Sequence, residues 1–415
     1  MLALGSRGDV QPYIALGLGL QAAGHEVCVA TNVNYKSLVV SRGLSFFPIV
    51  GNPMTMLDGE VGGGLLNTGR DLIQFMRSFR QVIGPLVEQI LDDLWRACQE
   101  ADVIFYSLLG FASHYIAQEL RIPAIAALLQ PLSRTCYFPT ILAPPQTSLG
   151  GGINFLTHIL VEQFFWQPLR PFFNKWSKKR NGPKAPFWGH FGQLYQQKAP
   201  FLYGYSPTVV PRPRDWGEGI HVTGYWFLDS GAQWVPPAEL VDFLASGPPP
   251  LCVGFGSMKS SVLEERTEIV LSALARSRQR GILLTGWGGF SNSDLPDSVF
   301  KIEAVPHDWL FPHVSAVIHH GGAGTTAAAM RAGIPSIILP FFFDQSFWAQ
   351  RIAALGVGPP PIAQKRLSVE TLTAAIQSVT NNQTMRQRAV ALGQRIRAED
   401  GVAEAVNAFH QHLPD

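Results

Sequence analysis

Four short stretches of this 415-residue chain carry residue types that handle anions, hydroxyls and protons. The longest is His319-His320-Gly321-Gly322-Ala323-Gly324-Thr325-Thr326, which follows the apolar run Ala316–Ile318 and opens an Ala-rich segment. That order predicts strand, turn and helix. Small residues let the backbone come close to an anion, and the first amides of a helix have no partner inside it. Thr325 and Thr326 add hydroxyls and His320 an imidazole donor, charged or neutral. The set could hold a diphosphate without a metal. A tight glycine turn with Thr caps and a core histidine would look the same. The segment is neither GxGxxG nor GxxxxGK[ST], and the missing Lys disfavours a P-loop ATPase. Gly254-Phe255-Gly256-Ser257 could repeat the chemistry at a second strand end, or be a plain turn.

Asp344-Gln345, after Leu339-Pro340-Phe341-Phe342-Phe343, pairs a carboxylate with an amide. Such a pair can accept from and donate to vicinal hydroxyls, and Asp344 could equally cap the following helix. In Gly5-Ser6-Arg7-Gly8-Asp9, Asp9 is either the N-cap of a helix with Pro12 in its first turn or a general base. As a base it would remove a hydroxyl proton while the oxygen attacks a sugar carbon. The helix N-terminus is expected to lower its pKa and keep it ionised. Arg7 could pair with Asp9 or with phosphate, or simply face solvent. His25 falls in a helix-to-strand loop and reads as structural. No DxD occurs, so the usual carboxylate pair for a metal-bound nucleotide sugar is missing.

These stretches need strand ends to hold them. In the first half, strands are expected at Leu2–Leu4, Val27–Thr31, Phe46–Ile49, Val103–Tyr106 and Ala124–Ala127. Helices are expected at Pro12–Ala23, Ser37–Arg42, Leu86–Glu100 and Ser113–Glu119. Pro131–Arg214 loosens into prolines, aromatics and a basic cluster, and a linker is placed at Val209–Ser230. The alternation restarts with strands Leu251–Phe255, Ile282–Thr285, Val299–Ile302, Ala316–His319 and Ser336–Leu339. Their expected helices are Leu263–Arg276, Trp309–Phe311, Thr325–Ala332, Ser346–Leu355, Val369–Val379, Met385–Arg397 and Ala403–His412. Strand–helix alternation predicts two α/β, Rossmann-like, doubly wound parallel sheets facing across a cleft, with ligands at the strand carboxyl ends. The expected domains are 1–215 and 216–400, with 401–415 a helix returning to the first.

Composition agrees with a two-domain enzyme: 47% hydrophobic, 15% charged and a formal net charge of +2. Nothing in that balance suits nucleic-acid coating. Cys28, Cys98, Cys136 and Cys252 lack zinc spacing and read as reduced core residues. No signal peptide is visible, and apolar runs fall short of the roughly 18 residues that span a bilayer. A cytoplasmic protein is expected, touching membranes at most peripherally.

The opening Gly5–Gly17, the stretch Val305-Pro306-His307-Asp308-Trp309-Leu310-Phe311-Pro312 and the run His319–Gln345 together resemble the sterol 3β-glucosyltransferases. The glycopeptide-antibiotic glycosyltransferases share shorter versions. The resemblance is weakest across Pro131–Trp216. It implies a GT-B fold and inverting, metal-independent transfer of glucose from UDP-glucose to a sterol or similar lipid-like hydroxyl, with no cofactor. It implies Asp9 as base, Ser6, Arg7 and Ser257 on the diphosphate, and His320, Ala323, Gly324 and Thr325 as the phosphate turn. Val305 and His307 would meet uracil, and Asp344 with Gln345 the sugar. The secondary-metabolite branch has His at the Asp9 position, paired with an Asp; here the corresponding Tyr106-Ser107-Leu108-Leu109 offers no carboxylate. The first strand looks shortened, and membrane-targeting modules found in some relatives are missing. The same chemistry on a glycopeptide, polyketide, carotenoid or diacylglycerol is the alternative, with a UDP-sugar 2-epimerase further off. Phe46, Phe47, Phe75, Phe79, Phe164, Phe165, Trp166, Phe172, Phe173 and Trp176 could line an apolar acceptor pocket. Phe164–Arg180 mixes aromatics with Lys and Arg, which fits a membrane-surface contact or a core helix with a solvated basic end.

Overall fold

The structure is a computed structural model that describes residues 1–51, 86–143, 150–182, 184–196, 199–230, 234–254, 263–284, 295–341 and 343–412. Its first sheet contains β1 (Cys28–Asn32), β2 (Ser45–Ile49), β3 (Ile104–Tyr106), β4 (Ala124–Leu128), β5 (Phe201–Tyr203) and β6 (Ile220–Val222). The pairings run β1-β2 and β3-β4-β5-β6, all parallel. The expected first strand is reduced to single bridges at Leu2, one to Ala30 and one to Tyr106. Those bridges join the two halves of the sheet, so the Met1–Leu4 segment lies at its centre. Leu2, Ala3 and Leu4 are accordingly buried.

The crossovers are helical: α1 (Arg7–Ala22), α2 (Lys36–Val40), α3 (86–97), α4 (Ser113–Leu120), α5 (Gly151–Lys179) and α6 (Gly189–Gln196). The irregular stretch expected over Pro131–Arg214 therefore contains a 29-residue helix that continues through Pro168 and Pro171. Its buried Trp166, Phe173 and Trp176 pack into the main core, and that burial outweighs the hydrogen bonds the prolines remove. The linker expected at Val209–Ser230 holds β6, which pairs with β5, so the first sheet extends past residue 215.

The second sheet has the order β11-β10-β7-β8-β9, again parallel. Its strands are β7 (Leu251–Gly254), β8 (Gly281–Leu284), β9 (Val299–Ile302), β10 (Ala316–His319) and β11 (Ser336–Ile338). Helices α7 (Ala238–Ala245), α8 (Leu263–Ser277), α9 (His307–Leu310), α10 (Ala323–Ala332), α11 (Gln345–Ala354), α12 (Val369–Asn381) and α13 (Gln383–Arg397) surround it. The order reverses between β7 and β10, and a crevice at such a switch point is where open α/β sheets take ligands. The first sheet reverses beside Met1–Leu4 in the same way. Residues 5–9 and 319–325 thus leave the carboxyl ends of the two central segments.

One apolar cluster runs from Leu2, Tyr106 and Trp166 through to Met330, Trp348 and Ile352, joining the two sheets' layers. Arg351 donates to the Val209 carbonyl across that junction. The final helix, α14 (Gly401–His410), returns to α1, with Phe409 packed 5.0 Å from Phe105 and 5.3 Å from His25. Of the cysteines, Cys98 and Cys252 are buried, whereas Cys28 and Cys136 are exposed rather than in the core. Among the described residues no helix is long and apolar enough to cross a membrane.

Candidate active site

Asp9 occupies the third position of α1, not its N-cap; Ser6 is the cap, and Pro12 lies beyond the first turn. The Ser6 amide and hydroxyl both donate to Asp9 Oδ2, at 2.8 and 2.7 Å. Both bonds fall on one oxygen, so the carboxylate is oriented with Oδ1 turned to other use. Gly5 makes this possible: its φ is +139°, and a Cβ there would stand 2.5 Å from Asp9 Oδ2. Burial raises the Asp9 pKa, and the two Ser6 bonds only partly oppose it. The expected lowering by the helix end does not win. A raised pKa makes Asp9 a stronger proton acceptor while it is ionised. Arg7 is exposed beside it.

Across the cleft, α10 begins at Ala323 with Gly322 as N-cap, two residues earlier than the apolar pattern suggested. The first-turn amides are therefore those of Ala323, Gly324 and Thr325. Gly321 holds the turn at φ +93°; a Cβ there would meet Ile338 Cγ2 at 2.7 Å and the Gln345 carbonyl at 3.1 Å. The Gly321 amide donates to His319 Nδ1 at 3.1 Å. His319 Nε2, His320 Nδ1 and Thr326 Oγ1 are buried without a hydrogen-bond partner. Orphaned buried polar atoms in one turn mark a place where a polar ligand belongs.

The first turns of α1 and α10 meet: a Cβ on Gly324 would lie 3.8 Å from Gly8 Cα. Each helix start carries partial positive charge, so bringing two together is unfavourable without an anion nearby. His307 joins this corner, its ring stacked on Phe311 at 4.5 Å. Burial, then the Arg7 charge, push the His307 pKa down to about 4. Burial, then His307, do the same to His320, also to about 4. Both imidazoles are neutral at pH 7, so any hydrogen bond His320 offers comes from a neutral ring. Val305 is buried just before His307.

Asp344 is the N-cap residue of α11 but makes no side-chain cap. Its Oδ2 instead accepts from Trp348 Nε1 at 2.8 Å and from Gln130 Nε2 at 3.3 Å. Burial, opposed by Trp348 and reinforced by the Asp9 charge, pushes its pKa up to about 6. Gln345 Oε1 accepts from the Phe341 amide at 2.7 Å. Asp9, Arg7, His307, His320 and Asp344 therefore converge on one cleft. Ser257, Phe75 and Phe79 lie outside the described residues. The other proposed acceptor aromatics separate: Trp166, Phe173 and Trp176 are core, while Phe164 and Phe165 are exposed. Phe46, Phe47 and Phe172 are half-buried.

Gln130, Trp348 and Phe343 were not apparent as site residues in the sequence. Trp348 had a local signal, four residues after Asp344 on the same helix. Gln130 had a weaker one, a polar residue closing an apolar strand. Phe343 sits beside Asp344 at φ +58° with its ring 6.3 Å from that of Phe165.

Residues 1–139 match the family described as Glycosyltransferase family 28 N-terminal domain. Residues 284–411 match Erythromycin biosynthesis protein CIII-like, C-terminal domain. The glycotransferase of kitacinnamycin superposes with a TM-score of 0.72 at 19% identity, covering 100% of this chain and 98% of that one. CalG4, the calicheamicin glycosyltransferase, gives 0.70 at 18% identity with the same coverage. SsfS6 from Streptomyces sp. SF2575, complexed with thymidine diphosphate, gives 0.62 at 19% identity over 99% and 98%. In sequence, the sterol 3-beta-glucosyltransferase of Aspergillus fumigatus is 38% identical over 99% of this chain and 29% of its own length. That of Aspergillus clavatus is 39% identical over 99% and 29%. The chain therefore has the GT-B fold. It spans about 29% of the length of the curated relatives it matches. The family 28 match holds Asp9 and the CIII-like match holds the 319–325 turn and Asp344, one on each side of the cleft.

Proposed function

We propose that this chain transfers a hexose, glucose in the first instance, from a UDP-sugar to the hydroxyl of a sterol or similar lipid-like acceptor. Transfer proceeds with inversion and without a metal or other cofactor. The meeting of the α1 and α10 first turns carries the reading. Two positive helix ends, four neutral or orphaned side chains (His307, His319, His320 and Thr326) and Arg7 form a corner suited to a dianionic diphosphate.

In this arrangement Val305 and His307 take the uracil. Ser6, Arg7, Ser257, His320 and the amides of Ala323, Gly324 and Thr325 take the diphosphate, and Asp344 with Gln345 takes the sugar hydroxyls. The acceptor oxygen attacks the anomeric carbon as its proton passes to Asp9 Oδ1. The carbon–oxygen bond to diphosphate breaks, and the bonding pair leaves with UDP. Charge grows on the diphosphate as it departs, so donors fixed in advance at that position favour the transition state. The sterol assignment is supported by the names of the relatives 38–39% identical over 99% of the chain, and the apolar Phe165–Phe343 contact beside Asp344 suits a lipid-like acceptor.

The test is incubation of the purified chain with UDP-glucose and a detergent-dispersed sterol, with and without chelator, followed by mass analysis and by proton NMR of the anomeric coupling. A hexosylated sterol with inverted anomeric configuration in both cases is expected. UDP binding without consumption of UDP-glucose by any acceptor would make the chain a binder rather than a transferase. Loss of product on chelation would remove the metal-free mechanism.

A further inference from the structure

The exposed face of α5 forms one line that is broken once, at half-buried Gln167 and buried Pro168. Ile153, Leu156, Leu160, Phe164, Pro171, Lys175 and Lys178 follow one another at spacings of three, four, four, seven, four and three residues. Those intervals keep a single line along a 3.6-residue helix. The line is apolar over its first three turns, with Leu160 60% and Phe164 51% exposed, and basic at its end. It is distinct from the buried Trp166, Phe173 and Trp176 on the same helix. Phe187 and Trp188 flank it, both exposed. Their carbonyls accept from Gln167 Nε2 at 2.8 Å and Gln163 Nε2 at 2.9 Å, and Arg170 lies over the Phe187 ring at 5.1 Å. The backbone at 187–188 is thus held against the helix, and the Trp188 ring packs edge-on to that of Phe187 at 5.3 Å. At the basic end Lys175 and Lys179 share one carboxylate, Glu88, and Lys178 has no ion pair among the described residues. Glu162 is turned inward to Arg134. The stripe itself carries positive charge only.

We propose that this stripe, with Phe187 and Trp188, docks the chain on an anionic phospholipid surface. An apolar line with a Trp beside it and lysines at one end matches the layering of an interface: acyl chains, headgroup boundary and phosphate. Patches of this kind on a folded chain mark a contact. A protein partner would need acidic groups set against Lys175 and Lys178 alone, whereas an anionic bilayer supplies charge along the whole edge. The stripe also leads inward, because Phe165, next to Phe164, reaches Phe343 beside Asp344. Docking there would bring a membrane-dissolved hydroxyl lipid to the cleft. For that purpose the proposal rests on the lipid-acceptor reading above, though its test does not.

The test is sedimentation of the chain with phosphatidylcholine vesicles, with and without phosphatidylserine, at physiological salt and with neither sterol nor UDP-sugar present. Expected is pelleting with the anionic vesicles, weakened at least tenfold by the pair Leu160→Ser and Trp188→Ser, by Lys178→Glu, and by raised salt. UDP affinity of the variants, equal to that of the parent chain, shows that they fold. The parent chain staying in the supernatant, or variants pelleting as it does, overturns the proposal. So does a dimer in ultracentrifugation that the Leu160→Ser, Trp188→Ser pair dissociates, since a second copy would then cover the stripe. Transfer to a detergent-dispersed acceptor can persist when docking fails, and docking can persist when transfer fails, so the two readings fall separately.

Discussion

Gln130 and Asp344 touch across the cleft: the Gln130 amide donates to the Asp344 oxygen that also accepts from Trp348. A carboxylate buried to this degree pays for its charge unless a ligand uses it. Its pKa of about 6 lies above the ordinary value of 3.8, so the folded chain holds an extra proton between those values. Ionisation then costs stability above pH 6, and the cost disappears as the pH falls towards 4. Asp344→Asn should raise stability at pH 8 by about 1–3 kcal/mol while weakening use of the donor sugar. Thermal melts at pH 8 and pH 4 check the first half: the gain should be present in the former and absent in the latter. Kinetics with varied UDP-glucose check the second.

Asp9 has the reverse signature, function lost with the fold kept. Asp9→Asn preserves an acceptor for the Ser6 amide and removes the proposed base. Turnover should drop by about 10²–10⁴-fold with UDP affinity unchanged. The parent chain's kcat/KM should fall on acidification with an apparent pKa above the ordinary aspartate value, because burial raises it. A variant that keeps near-normal turnover, or an acid limb below the ordinary value, counts against Asp9.

The alternation of strands and helices was legible because each apolar run is short and bounded by Gly, Pro or charge. The 319–326 turn was legible for the same local reason. Helix α5 was not: Pro168 and Pro171, with aromatics on more than one face, erase the period that normally announces a helix. Strands β5 and β6 are three residues each and depend on their neighbours for existence. Asp9's raised pKa and Asp344's contact with Gln130 come from burial and from a partner 214 residues away. Neither can be read from a window of sequence.

The glycine turn makes a sharper demand than its helix. Gly321→Ala places a methyl against Ile338 and the Gln345 carbonyl in a backbone region that L-residues avoid. A loss of about 1–3 kcal/mol in stability and a weaker UDP complex are expected, read by melting and calorimetry. His320→Ala should weaken UDP by about tenfold, as for a hydrogen bond to a charged group. Because His320 titrates at about 4, it gains no charge between pH 8 and pH 6. A steep rise in UDP affinity over that interval, abolished by His320→Ala, would contradict the neutral donor.

The return of α14 to the first domain is pH-sensitive by construction. His25 and His410 meet at 2.8 Å between their Nε2 atoms, and His221 and His412 at 2.9 Å. The hydrogen bond at His221 needs a neutral ring to accept it, so a charged His221 beside His412 would weaken the contact. For His221 burial, then the charges of His412 and Arg212, hold the pKa below 6.5. A depressed histidine contributes stability above its unfolded pKa and loses it as the pH falls through the folded value. Phe409, buried between Phe105 and His25 in the last turn of the helix, is an anchor that does not titrate. Acidification should therefore loosen the helix's C-terminal end without releasing it entirely. Amide exchange across residues 401–412 should be faster at pH 5 than at pH 7.5 after correction for intrinsic rates. His221→Gln should remove most of that difference. Equal protection at both pH values in the parent chain would show that the His221–His412 contact does no such work.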